Sequence, residues 1–332
     1  MARDQGVHSR RRFCWTLAGV LVAPHIAIAQ VPKVRRIGVL EAGAADSPED
    51  IRKQDEPLRQ LGWLEGRNLH VERRYANGRL ERLQALAEEL VRANVEVIVA
   101  NGPNPTRAAM RATTTIPIVF RVGSDAVMSG LVASLARPGG NVTGFSVATP
   151  EVDAKLLSLL KELLPTYRRI GMLETVGNQQ FSLLRKSFEE SCRLLDLEPV
   201  FVEISAAAEI DGAISLLVTQ RAQALVLRDD SFAGAHGRQI IETALKRNVP
   251  TISGGSNSVR EAGALGSYSA TDAEVDRRAA YYIDRILRGA KPADLPVEQP
   301  TQFWMALNLK TAKALGITIP QSLLLRADEV IQ

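Results

Sequence analysis

VRRIGVLE at residues 34–41 and YRRIGMLE at residues 167–174 decide the fold. Each is a short aliphatic run behind a pair of arginines, closed by a glutamate, and the two stand 133 positions apart. Further strands keep step with them: Val95 to Ala100 has its counterpart in Ala222 to Arg228, and Ile116-Pro117-Ile118 in Val249-Pro250-Thr251. Between the strands the apolar period changes to that of helices, most clearly at Leu83, Leu86, Ala87, Leu90 and Val91 within Leu80 to Arg92. Apolar strands alternating with helices predict a parallel sheet covered on both faces. A repeat this long predicts two similar lobes in place of one large sheet. The expected fold class is therefore α/β, with two doubly wound parallel-sheet lobes.

Outward from the repeat, the first half reads as a strand at Val34 to Leu40, a helix at Ile51 to Leu61, and a strand at Val71 to Tyr75. After the loop NGPNP a helix is expected through Ala108 to Thr113. In Ile116 to Ser146 the pattern predicts a buried strand to Phe120, a small-residue loop, a short amphipathic helix ending near Ala136, a turn over Arg137 to Asn141, and a new strand from Val142. After Ser267 the chain departs from the repeat, with a helix over Asp272 to Arg288 and prolines at 292, 296 and 300. Segments near 144, 268 and 300 thus pass between the lobes as a three-segment hinge with a cleft beside it. The predicted lobes are residues 33–143 plus 271–298, and 146–267 plus 303–332.

Residues 1–29 stand apart. Ser9, Arg10, Arg11, Arg12 and Phe13 precede an apolar run ending in Ala27, Ile28 and Ala29, the layout of an export signal of twin-arginine type. The run is too short to span a bilayer, and Cys14 lacks the flanks of a lipid-attachment site. Without that segment four arginines and one aspartate leave, so the formal charge falls from +4 to +1 and no basic face supports nucleic-acid binding. Cys192 is then the single remaining cysteine, expected as a buried thiol. No phosphate loop, dinucleotide fingerprint, nucleophile elbow or HExxH zinc motif occurs. His70 and His236 lack partners at metal-ligand spacing, so no metal, cofactor or catalytic set is expected.

Each lobe instead offers small polar loops where strands end: Gly43, Asn101 with Gly102, and Gly123, Ser124 and Asp125 in the first; Thr175 with Asn178, Asp229 with Asp230, and Ser253 with Gly254 in the second. Backbone N–H groups of such loops suit a carboxylate, and Asp125 or Asp229 an ammonium, which together describe an amino acid. Each glycine also serves a tight turn and each aspartate a helix cap. Trp63 and Trp304 read as packing residues, not ligand platforms.

QLGWLEGRNL (60–69), TIPIVF (115–120), GLVASLARPGGNVTG (130–144), GAKPADLPVEQPTQF (289–303) and NLKTAKALGITIPQSLL (308–324) resemble the ABC transporter substrate-binding proteins, the family with tryptophan- and phenylalanine-type binding components. The resemblance implies a periplasmic-binding-protein fold of type I. It also implies a periplasmic protein, not lipid-anchored, that takes a small ligand such as an amino acid to a membrane permease with its own ATPase, acting as a monomer. Where the family has Asp-Pro after the glycine loop, this chain has Asp125-Ala126. Two other readings stay open. The effector domain of a transcription regulator shares this architecture, but an export-like segment stands where its DNA-binding helices belong. An enzyme in the cleft would use Asp125, Asp229 or Asp230 as general acid or base.

Overall fold

Both copies of the RRIG stretch become interior strands, and they hold the same place in two separate sheets. The computed structural model describes residues 34–122, 125–147, 150–175, 181–228, 230–255 and 257–332. The export-like segment at 1–29 lies outside the described residues. β1 (Arg35–Glu41), β2 (Leu69–Tyr75), β3 (Val97–Asn101), β4 (Ile118–Val122) and β5 (Val142–Ser146) form a parallel sheet in the order β2-β1-β3-β4-β5. β6 (Arg169–Thr175), β7 (Glu198–Ile204), β8 (Ala224–Leu227), β9 (Thr251–Ser253) and β10 (Gly266–Ala270) repeat it as β7-β6-β8-β9-β10. The repeat therefore continues past Ser267, where sequence similarity fades: β10 stands where β5 stands. Beyond it β11 (Phe303–Asn308) runs antiparallel to β10, and β12 (Glu329–Ile331) adds a parallel edge that the sequence pattern did not predict.

α1 (Pro48–Gln60), α2 (Leu83–Arg92) and α3 (Pro103–Ala112) belong to the first sheet. α4 (Pro150–Leu163), α5 (Phe181–Leu194), α6 (Ile210–Thr219), α7 (Ser231–Lys246) and α8 (Ser258–Ala262) belong to the second. α9 (Asp272–Leu287) returns to the first sheet against α1, β4 and β5, and α10 (Leu309–Ala314) and α11 (Gln321–Leu324) finish the second. Each sheet is thus buried on both faces. Leu90, Ile98 and Phe120 pack on one side of the first and Ile37, Val97 and Tyr282 on the other; Leu156, Met172 and Phe188 oppose Ile214, Leu225 and Ile240 across the second.

The glycine of the repeated stretch has a packing cause. A Cβ on Gly38 would stand 2.8 Å from Leu90 Cδ2, and one on Gly171 would stand 3.1 Å from Leu217 Cδ1. In both lobes, then, a leucine of the covering helix sits directly on the strand backbone.

The three crossings fall after β5, after β10 and between Glu298 and β11. At the last, the Ser146 N–H donates to the Glu298 carbonyl at 3.0 Å, so two crossing segments run side by side. The helix after each lobe's fifth strand packs on the opposite lobe: α4 lies against α5, β9 and β10, and α9 against α1 and the first sheet.

Two local expectations change. The segment 126–136 forms turns, not a helix: one turn closes through Ser129 N–H to Asp125 O at 2.8 Å, then Gly130 takes a φ of 61° and stops it. NGPNP is mostly helix, since Pro103 sits in the first turn of α3, where its missing N–H costs nothing. Among the described residues no helix is long and apolar enough to cross a membrane.

Candidate functional site

A parallel sheet of order 2-1-3-4-5 reverses direction of winding between β1 and β3, and the crevice outside the carboxyl ends of those strands is where such folds hold ligands. A cavity of about 750 Å³ opens there, between the first lobe with the start of α9 on one side and α7, α8 and the end of β10 on the other. Five of the residues singled out from the sequence line it: Gly43, Asn101, Gly102, Asp230 and Gly254.

Three others are placed but turned to local work. Asp125 Oδ1 accepts from Val127 N–H at 2.9 Å and Met128 N–H at 2.8 Å, which holds a turn outside the cavity lining. Ser253 Oγ accepts from Gly255 N–H at 3.1 Å, and Thr175 Oγ1 donates to Asp230 Oδ2 at 3.3 Å. Gly123, Ser124, Asn178 and Asp229 lie outside the described residues. Trp63 and Trp304 are away from the cavity: Trp63 Nε1 donates to Asp284 at 2.9 Å, and Trp304 is 37% exposed.

The centre of the site is a group the sequence reading did not select. Arg121, the charged residue near the end of the apolar strand β4, donates from Nε to Asn101 Oδ1 at 2.5 Å and from Nη1 to Asp276 of α9. Its Nη2 lies 3.9 Å from Glu41, the glutamate that closes the first RRIG stretch. One guanidinium therefore faces two carboxylates. Burial pushes Glu41 up to about 8 in spite of Arg121, with Asp46 and Asp276 adding to the rise. Burial likewise raises Asp276 to about 6, Arg121 opposing it. For Glu41 the signal was a charge at the end of an apolar strand; Asp276 is the fifth residue of α9 and had none, and only the folded chain brings them together.

Asp230 is the N-cap of α7. Its Oδ1 accepts from Phe232 N–H at 2.9 Å and Ala233 N–H at 2.7 Å, yet burial still raises its pKa above the ordinary carboxylate value. The cap reading of this aspartate and the lining reading are both met, because α7 begins at the cavity wall. On this side the lobes touch: a Cβ on Gly78, which has a φ of 75°, would stand 2.6 Å from the His236 ring of α7. Cys192 is fully buried, and burial pushes its thiol up to about 12. Among the described residues no group of three or more His, Cys, Asp or Glu side chains could hold a metal ion.

Two lobes of matching topology, three crossings and a polar cavity at the strand ends between them define a two-lobed ligand-binding protein. The profile of the ABC transporter substrate binding proteins matches residues 36–331, and the chain belongs to that family. A tyrosine-binding protein of Clostridioides difficile is 27% identical over 286 residues, covering 86% of this chain and 82% of that one. The structure of an ABC domain in complex with L-Trp from Streptococcus pneumonia superposes with a TM-score of 0.81 at 24% identity, covering 90% of this chain and 99% of that one. A conserved domain protein from Vibrio cholerae reaches a TM-score of 0.82 at 26% identity, with coverage of 90% and 100%. These neighbours share the two-lobed α/β architecture expected from the repeat.

Proposed function

We propose that this chain is the exported, periplasmic binding component of an ABC importer, which takes an amino-acid-like ligand into the cavity between its lobes and presents it to a permease with its ATPase. The observation that carries the reading is the cavity itself. It is lined from both lobes, at the switch point of the strand order, by carboxylates, two arginines and a lysine in a largely polar surface. The relatives named for tyrosine and bound to L-Trp support an amino-acid ligand.

In this reading residues 33–143 with 271–298 move as one body and 146–267 with 303–332 as the other. Asn101 and Gly102 contribute from one side and Asp230 and Gly254 from the other. In this reading the protein binds its ligand and performs no chemistry on it; Asp230 spends one oxygen on two backbone N–H groups as the cap of α7. Binding draws the population toward the closed form that the permease recognises. Export follows from residues 1–29, by the twin-arginine route, and the mature protein acts as a monomer without a lipid anchor.

The test is a thermal-unfolding screen of the purified mature protein against amino acids and other small solutes. A ligand that binds the native state raises the melting temperature by mass action. A flat response across amino acids of every class would refute the reading.

A further inference from the structure

The charges around the cavity do not balance. Among the described residues, seven acidic side chains line it against three cations; of the seven, Glu261 pairs with Arg238 outside the lining at 3.4 Å and burial raises Glu41 to about 8, which leaves five carboxylates. Two of those cations are held by partners outside the lining: Lys53 pairs with Glu49 at 2.9 Å and Arg260 with Glu329 at 2.6 Å. The third, Arg121, is engaged by Asp276 and Asn101.

The helix starts at α7, α9 and α3 offer little to an anion. The N–H groups that open α7 are taken by Asp230. At α9, Thr271 accepts from Glu274 N–H at 3.2 Å, and Asp272 and Glu274 already supply the negative charge a helix start favours. α3 begins with Pro103 and Pro105, which have no N–H to offer.

One hydroxyl is left over, which can accept from a ligand N–H as well as donate. Ser269 lines the cavity, is 4% exposed, and its hydroxyl has no hydrogen-bond partner. No aromatic side chain occurs among the described lining residues, so nothing there offers an indole or phenol ring a stacking face.

Resting on the reading of this cavity as the ligand site, we infer that it selects a solute of net positive charge, a dibasic amino acid or a diamine, held through Glu41, Asp46, Asp276 and Ser269. An ammonium placed among these oxygens supplies the opposite charge that Arg121 alone does not, and the cost of holding buried carboxylates falls when a second cation shares them. A neutral zwitterion brings one carboxylate of its own into this surplus of negative charge. It gains correspondingly less.

The experiment is titration calorimetry of the mature protein with lysine, ornithine, arginine and putrescine, in parallel with tyrosine, tryptophan, leucine and glutamate. At least one cationic solute should bind about tenfold or more tightly than every neutral or acidic one. Asp46→Asn, in a surface-reaching loop, should weaken that binding about tenfold or more at an unchanged melting temperature of the free protein. Preferred binding of an aromatic or other neutral amino acid would overturn the inference and leave the solute-binding function standing. Binding of no amino acid or amine would overturn both. Unchanged affinity in Asp46→Asn, with the cationic preference intact, would remove Asp46 from the set and refute the site as drawn.

Discussion

Replacing Glu41 by glutamine should stabilise the protein at mildly alkaline pH while weakening its hold on ligand. Burial raises this carboxyl from its ordinary 4.5 to about 8. Between those values the folded chain keeps a proton that the unfolded chain has released, so the group's contribution to stability declines as pH rises through the window and is flat outside it. At about 1.36 kcal/mol per pH unit the full span is worth at most about 4.8 kcal/mol. The side chain retains 17% of its exposure, and water screening reduces the observable part to about 2–4 kcal/mol. Glutamine keeps the shape and the hydrogen-bonding capacity and removes the titration.

Urea unfolding of both proteins near pH 5 and near pH 8.5 gives the comparison. The variant should gain about 2–4 kcal/mol relative to the native sequence between the two conditions, at equal denaturant slope. A gap that does not change with pH, or one that moves in favour of the native sequence as pH rises, would show that Arg121 keeps Glu41 ionised and would refute the account of the site.

Other outcomes follow from the same contacts. Gly144→Ala should cost about 2–4 kcal/mol, because its Cβ would stand 2.2 Å from the Phe120 carbonyl oxygen of the neighbouring strand; an unchanged urea midpoint would contradict the β4–β5 register. Arg121→Met leaves Asp276 and Glu41 facing each other without their cation and should cost about 3–5 kcal/mol. Arg121→Met with Asp276→Leu should recover much of that loss, and strict additivity of the two would rule out the pairing. The Cys192 thiol, pushed up to about 12, should resist a thiol reagent in the native protein and react once the chain unfolds; stoichiometric labelling of native protein within minutes would refute its burial. Gly78→Leu places a side chain where the His236 ring now lies, so ligand affinity should fall while urea stability drops by only about 1–2 kcal/mol for the strained backbone. Equal affinity would show that the lobes do not close at that contact.

The architecture was legible because packing over a parallel sheet leaves a pattern in the chain. The glycines at 38 and 171 recur since Leu90 and Leu217 need the same space, and the two halves reproduce one strand order. The site was legible only where a loop and the cavity coincide, as at Asn101, Gly102 and Asp230. Asp125 and Asp230 look alike in sequence, each an aspartate in a small-residue loop after a strand. They differ because Asp230 opens a helix that abuts the cavity, whereas Asp125 closes a turn that Gly130 cuts short. Arg121, Glu41 and Asp276 carry the electrostatics, but Arg121 and Asp276 are 155 positions apart. Their meeting depends on α9 crossing back to the first lobe; the lobe bounds read from the sequence carry residues 271–298 there, but nothing in the pattern says which side chain of α9 meets Arg121.

That crossing decides how the molecule comes together as it is made. The first sheet waits for α9, which supplies Tyr282 and Ile286 to one of its faces, so the amino-terminal lobe stays open until most of the chain has left the ribosome. The second lobe takes α4 directly after the first sheet's final strand. A fragment ending at residue 147 would leave Ile37, Val97 and Val99 without Tyr282, Ile283 and Ile286, with Leu58 of α1 as the helical cover that remains on that face.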